Sequence, residues 1–327
     1  MDPNNNQESG ALRILLLVML VLVLLIMVFL IYQLYLNIPR SPENLNVNIK
    51  NQNPSTNQIP NSSVTQFYEN MKFNHNLITY NIDPSCDTKT RGRMEEAFDI
   101  IEEQVSSLTF REVNSNEDIK ITCSREGEES IVEKHFIAGE GGAKEIIQTQ
   151  RYNVITQGVI FIYKNPEIRT INCDYPNVEM HELMHVFGFD HTDDKNSLMN
   201  PLLDSCNQVL DQGIIQQLII LYSEENLPDL YFEDVKAVKK GRYLDFNITI
   251  KNSGSVDSEN VSLTIIEDNK IIDRRDLGYF GFGSGITIQT TNLKLDHLNP
   301  NSIEFVIDRE NTIREITKNN NLAEIKL

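Results

Sequence analysis

The sequence predicts an α+β domain followed by an all-β sandwich, both behind one N-terminal membrane-spanning helix. Three observations carry this. Residues 14–36 form an apolar run whose one strongly polar side chain is Gln33. Between 68 and 224, segments that alternate apolar and polar residues are interleaved with segments whose apolar residues recur every three or four positions. From 228 to 327, short apolar runs follow one another with turn residues between them.

Residues 1–13 are a short polar tail. At about 1.5 Å per residue the run 14–36 rises about 35 Å, enough to cross the hydrocarbon core of a bilayer with some tilt. A cleaved signal peptide is the rival reading. Its apolar stretch would be about 7–15 residues and would end in small residues. This one ends in Tyr32, Tyr35 and Asn37, and tyrosines suit a membrane interface. Arg13 before the span and Arg40 and Lys50 after it do not fix an orientation. Sequons open at Asn61, Asn247 and Asn260, and all four cysteines lie beyond the span. These signs place the N-terminus in the cytoplasm and the bulk of the chain outside. Residues 37–67 are rich in Asn, Pro, Ser and Gln, which predicts an extended stalk.

Within 68–224 the strand pattern falls at 77–82, 118–122 and 158–163. A helix is expected over 91–108, with Met94, Ala97, Phe98, Ile101, Val105 and Leu108 on one face. Two more are expected over 176–187 and 207–222. Gly139–Gly142 is expected to form a loop before the strand at 158. No Lys-Ser or Lys-Thr follows that loop, so it is not a phosphate cradle.

The chemistry is concentrated in His181 to His191, which reads HELMHVFGFDH. His181 and His185 are four apart, about 40° from each other on a helix, so two imidazoles can reach one metal ion. Glu182 stands about 100° round, where it can reach a metal-bound water without binding the metal. His191 would point away if the helix continued, about 9 Å further along. Gly188 accepts the positive φ that ends a helix and lets the chain turn back. Three histidines with one open position is the arrangement of catalytic rather than structural zinc. Ser197-Leu198-Met199-Asn200-Pro201 follows.

An HExxHxxGxxH pattern followed by a methionine turn resembles the metzincin zinc endopeptidases. Thr192 after the third histidine, and no tyrosine just after Met199, are more similar to the matrixin branch. The resemblance covers about 68–224 and is strongest at 178–201. It implies one catalytic zinc ion on His181, His185 and His191, with Glu182 as general base. It also implies a hydrophobic floor at Met199, a turn shaped by Ser197 and Pro201, and a pocket wall at Leu202 and Leu203. A peptide substrate would lie extended along an edge strand, which the resemblance places at residues 144–150 behind the Gly139–Gly142 loop. The extra histidine and aspartate clusters of vertebrate matrixins for further metals have no counterpart, and His135 stands alone in the sequence.

Three C-terminal segments, PDLYFEDV from 228, KNSGSVDSENVSL from 251 and VIDRENTIREITKNNNLAEIKL at the end, resemble the CARDB family. That implies an immunoglobulin-like sandwich over 228–327, distal to the protease domain, and a cell-surface partner only by analogy. Cys173 and Cys206 bracket the metal motif, and Cys86 and Cys123 each follow a strand. Two disulfides, four free thiols, or Cys86 as an inhibitory thiolate are the alternatives. A net charge of −18 excludes a phosphate-backbone partner, hence nucleic acid. The function expected is a membrane-anchored zinc endopeptidase. Its rival is a catalytically idle adhesion or scaffold protein acting through the C-terminal domain.

Overall fold

The structure is a computed structural model that describes residues 5–38, 40–50, 64–124, 137–163 and 173–327. Asn61, His135 and positions 51–63 of the expected stalk lie outside the described residues.

Helix α1, Asn5–Asn37, is exposed along its apolar length. Its part Arg13–Asn37 is long and apolar enough to cross a membrane. The expected stalk gives way directly afterwards. Strands β1 (Glu43–Leu45) and β2 (Val47–Ile49) are built into the C-terminal sandwich. The physical reason is the alternation Leu45, Val47, Ile49 inside an asparagine-rich context. These three side chains turn inward, half-buried against the sandwich core. The sandwich, expected to lie distal to the domain at 68–224, is thus also joined directly to the N-terminal helix through β1 and β2.

The first domain has one twisted sheet. Its strands are β3 (Met71–Phe73), β4 (Leu77–Ile82), β5 (Thr109–Glu112), β6 (Ile119–Ser124), β7 (Gly139–Gln148) and β8 (Asn153–Tyr163). The order β3-β8-β6-β4-β5 is parallel throughout. Only β7 is antiparallel, paired along the other edge of β8. Helix α2, Thr88–Gln104, starts three residues earlier than the periodicity predicts, because Asp87 caps it by accepting from Thr90 N–H at 2.9 Å. Its face Met94, Ala97, Phe98 and Ile101 enters the core. Val105 and Leu108 are buried too, but beyond the helix end.

Helix α3, Asn177–Val186, carries the metal motif, and helix α4, Gln212–Ser223, closes the domain. The last helix starts five residues later than expected. Val209 is instead bridged to the methionine turn at Ser197, with Leu198 N–H donating to Val209 O and Val209 N–H to Asn196 O. Gly139–Gly142 is not a loop either: it is the first part of β7. Both disulfides form, Cys86–Cys123 across the parallel neighbours β4 and β6, and Cys173–Cys206 across the mouth of α3.

The second domain contains β9 (Leu230–Lys240), β10 (Tyr243–Asn252), β11 (Ser258–Glu267), β12 (Lys270–Phe280), β13 (Gly285–Lys294), β14 (Ser302–Ile307) and β15 (Leu322–Lys326). One sheet runs β1-β9-β10-β13 and the other β12-β11-β14-β15-β2. Inward-facing apolar side chains fill the space between them, with Phe232, Leu244, Phe246, Ile248, Leu263, Ile265 and Phe305 inside. The Asn247 and Asn260 sequons lie exposed on its surface. The two domains touch at the β7–β8 turn: Thr149 Oγ1 donates to Ser253 O at 2.8 Å, and Arg151 meets Asp229 at 3.5 Å.

Candidate metal centre

Helix α3 is buried on nearly every side, so its polar residues need partners. Its N-terminus is held from α2. Arg93 donates to both oxygens of buried Glu179 and to the carbonyls of Cys173 and Tyr175, at 2.8–3.3 Å. Its C-terminus stops at Gly188, which has φ +86° and no room for a side chain, a Cβ there meeting Met71 Sδ at 2.2 Å. The returning loop pairs with 65–67. Phe67 N–H donates to Gly188 O and Asp190 N–H to Thr65 O, while Gln66 Nε2 caps Phe187 O at 2.8 Å.

The result is a triangle of nitrogens. His181 Nε2 and His185 Nε2 are 3.0 Å apart, and His191 Nε2 is 3.2 Å from the first and 3.1 Å from the second. Two of the rings are anchored from behind. His181 Nδ1–H donates to Leu198 O and His185 Nδ1–H to Phe189 O, both at 2.7 Å. Those bonds fix the tautomer and leave lone pairs on Nε2. Two lone pairs 3.0 Å apart cannot hydrogen-bond to each other. They repel unless a cation lies between them. Four ligands at zinc–imidazole bond lengths of about 2.0–2.1 Å would stand about 3.3 Å apart at tetrahedral corners. The three nitrogens thus fit one ion to within a few tenths of an ångström, and the group is placed to hold a metal.

Burial pushes His181 down to about 4 and lowers His185 as well, so both are neutral and ready to donate lone pairs. Burial also pushes Glu182 up to about 8, against the pull of a hydrogen bond from Gly141 N–H. A divalent ion beside it would bring that value back down. The carboxylate lies under β7. A Cβ at Gly139 would meet Glu182 Cγ at 2.7 Å, and one at Gly141 would meet Glu182 O at 2.2 Å. Met199 is buried in the domain core, its turn fixed by Ser197 Oγ, which accepts from Met199 N–H and bonds Asp211. Pro201 and Leu202 are exposed just beyond that turn, and Leu203 packs on the core.

Of the residues expected at the site, His181, His185 and His191 come together, Gly188 ends their helix, and Glu182 packs under β7. The sequence reading placed Gly139 and Gly141 in a loop, with no role at the site, and passed over Arg93 and Gln66. The two glycines alternate along one strand, a signal of close backbone approach on one face. Arg93 and Gln66 left no sequence signal. A second group, Glu267, Asp268 and His297, also comes together in the sandwich. There the Glu267 carboxylate already accepts from Asp296 N–H and His297 N–H.

Residues 72–222 match the family model for matrixin, a metallopeptidase family, and residues 227–325 match the one for CARDB. Comparison with curated proteins gave no match. Among solved structures, the chain is similar to a CARDB domain from Pyrococcus furiosus in complex with di-metal ions. Identity there is 17% over 31% of this chain and 87% of that one, with TM-score 0.27. A domain of a Methanosarcina acetivorans protein described as a cell surface protein also matches, at 20% identity over 31% and 91% with TM-score 0.26. The chain carries a matrixin-family domain at 72–222 and, directly behind it, a CARDB domain at 227–325.

Proposed function

We propose that the chain is a membrane-anchored zinc endopeptidase that cuts peptide bonds with Glu182 as general base. The observation that carries this reading is the nitrogen triangle of His181, His185 and His191, 3.0–3.2 Å on a side, with the Glu182 carboxylate beside it. Zinc held there supplies a bound water of lowered pKa and a Lewis acid for the scissile carbonyl.

The chain's own residues do the rest. Glu182 takes a proton and hands it to the leaving amine. Gly141 N–H orients that carboxylate, and the two glycines let β7 come close enough to do so. The outer edge of β7 has no neighbouring strand among the described residues, so an extended peptide can add there as a further strand. Leu202 and Leu203 would wall the side-chain pocket. Two disulfides favour an oxidising location outside the cytoplasm, with α1 as the anchor. The idle-scaffold reading would suit a site that had lost a ligand or the carboxylate, and this chain has all four.

The test uses the fragment 40–327 with a mixed peptide library, with and without a chelator, beside Glu182→Gln. The parent should cut, the chelator should abolish cutting, and Glu182→Gln should lose roughly 10²–10⁴-fold in rate while keeping its zinc. Full hydrolysis by Glu182→Gln, or a parent that binds no zinc, would end this reading.

A further inference from the structure

Strands β1 and β2 are one extended segment, interrupted only at Asn46, that passes from one sheet of the sandwich to the other. Glu43, Asn44 and Leu45 pair antiparallel with Lys239, Val238 and Ala237 of β9. Val47, Asn48 and Ile49 pair antiparallel with Ile325, Glu324 and Ala323 of β15, and Lys50 N–H adds a bond to Leu322 O at 3.0 Å. Leu45, Val47 and Ile49 pack on the core from the two sheets. Without this segment β9 and β15 would each end their sheet on a bare edge, one in each layer. Bare edges invite strand addition. Only positions 38–42 separate α1 from β1, a span of at most about 20 Å.

We propose that residues 43–49 act as a non-covalent clamp that fastens the C-terminal domain to the N-terminal helix, independently of the covalent path through 51–63. The interaction surface is the pair of edges on β9 and β15, and the partner is this chain's own segment Glu43–Leu45 and Val47–Ile49. Backbone ladders give the attraction, and three apolar side chains at alternate positions give the register. The positional consequence is specific. A cut within 51–63 leaves the catalytic domain attached to the membrane helix in two pieces, whereas a cut within 38–42 frees it. A chain lacking 43–49 presents both edges to whatever extended segment is nearby.

The test uses the full chain in mild detergent, with an affinity tag at the N-terminus and a site-specific protease sequence inserted within 51–63. Once a denaturing gel shows complete cutting, the tag is captured. The C-terminal fragment should come with it. In a variant carrying Leu45→Asp, Val47→Asp and Ile49→Asp, the cut fragment should appear free in roughly tenfold or greater excess over the parent, while the uncut variant stays captured. Val47→Asp alone, a milder change, should release an intermediate share. Free fragment from the cut parent would overturn the proposal, and so would continued capture of the cut triple variant. The readout is capture, so it is independent of whether the enzyme is active.

Discussion

Gly141→Ala tests whether the approach of β7 to the metal helix is a requirement of catalysis. The added Cβ would stand 2.2 Å from Glu182 O, 2.8 Å from its carbonyl carbon and 2.9 Å from its Cα, all of them backbone atoms that no rotamer change can move. Carbon contacts need about 3.5 Å, so strand and helix must part by roughly 1 Å. Overpacking of this kind costs about 1–3 kcal/mol. For a domain of this size that is a fall in Tm of about 2–12 °C. The larger effect should be on rate, because Gly141 N–H also orients the Glu182 carboxylate. A misplacement of about 1 Å at a reacting group costs roughly 10²-fold. The histidines sit on α3 and its own loop, so zinc content should be unchanged. Gly142→Ala is the internal control: its Cβ would meet nothing within 4 Å, and it should keep activity and Tm near the parent's. Peptide hydrolysis, zinc by atomic absorption and thermal melts on the three proteins decide the matter. Parent-like activity in Gly141→Ala, or equal damage in Gly142→Ala, would refute the argument.

Three further outcomes are expected. Arg93→Ala leaves buried Glu179 without its partner and two carbonyls without their donor, and should lower stability by about 3–5 kcal/mol in urea unfolding. Cys173→Ser with Cys206→Ser opens a link between positions 33 apart, worth about 4 kcal/mol by loop-closure entropy; an unchanged urea midpoint would contradict this. Lys72 is buried beside the rings of Tyr152 and Tyr222 and donates to Leu221 O at 2.6 Å. Burial lowers it to about 8, with Glu224 pulling the other way. The unfolded chain keeps that proton up to its ordinary 10.5, so the destabilisation is full below pH 8 and is relieved as pH rises to 10.5. The gain is on the order of 3 kcal/mol. Urea midpoints at pH 8 and 10 should rise for the parent and stay flatter for Lys72→Met.

The histidine group was legible in the sequence because helical geometry fixes most of it locally. Two histidines four apart share a face whatever surrounds them, and a glycine three residues on has few roles other than to end the helix. The strands with clean alternation were legible for the same reason. What was hidden depends on contacts distant in sequence. Gln66 meets Phe187 across 121 positions and Arg93 meets Glu179 across 86, and no local pattern announces such pairs. The late start of α4 is a case of tertiary override. Periodicity alone permits a helix from 207, but the methionine turn takes the backbone bonds of Val209 instead. The clamp strands were missed through composition. Leu45, Val47 and Ile49 have strand period, yet the asparagines between them and the proline-rich flank look like stalk.

The three histidines are oriented from two sides of the fold. His181 and His185 are each held by one backbone carbonyl, and those carbonyls come from different places: Leu198 in the methionine turn and Phe189 in the loop after α3. The turn and the loop are themselves joined, since Thr192 N–H donates to Met199 O and Asn200 Nδ2 to Thr192 O. His191 lies between them and is the exposed member of the three. Two of the histidines are therefore oriented by packing and hydrogen bonds, while the third is oriented by the loop that carries it. On this account metal and fold are coupled most strongly through the segment 188–200, so chelation should loosen that segment first. Hydrogen exchange would show this as faster exchange at Thr192 and Met199 than in the sandwich strands. Uniform loosening of both domains on chelation would mean that the carbonyl anchors of His181 and His185 do not fix the site in advance.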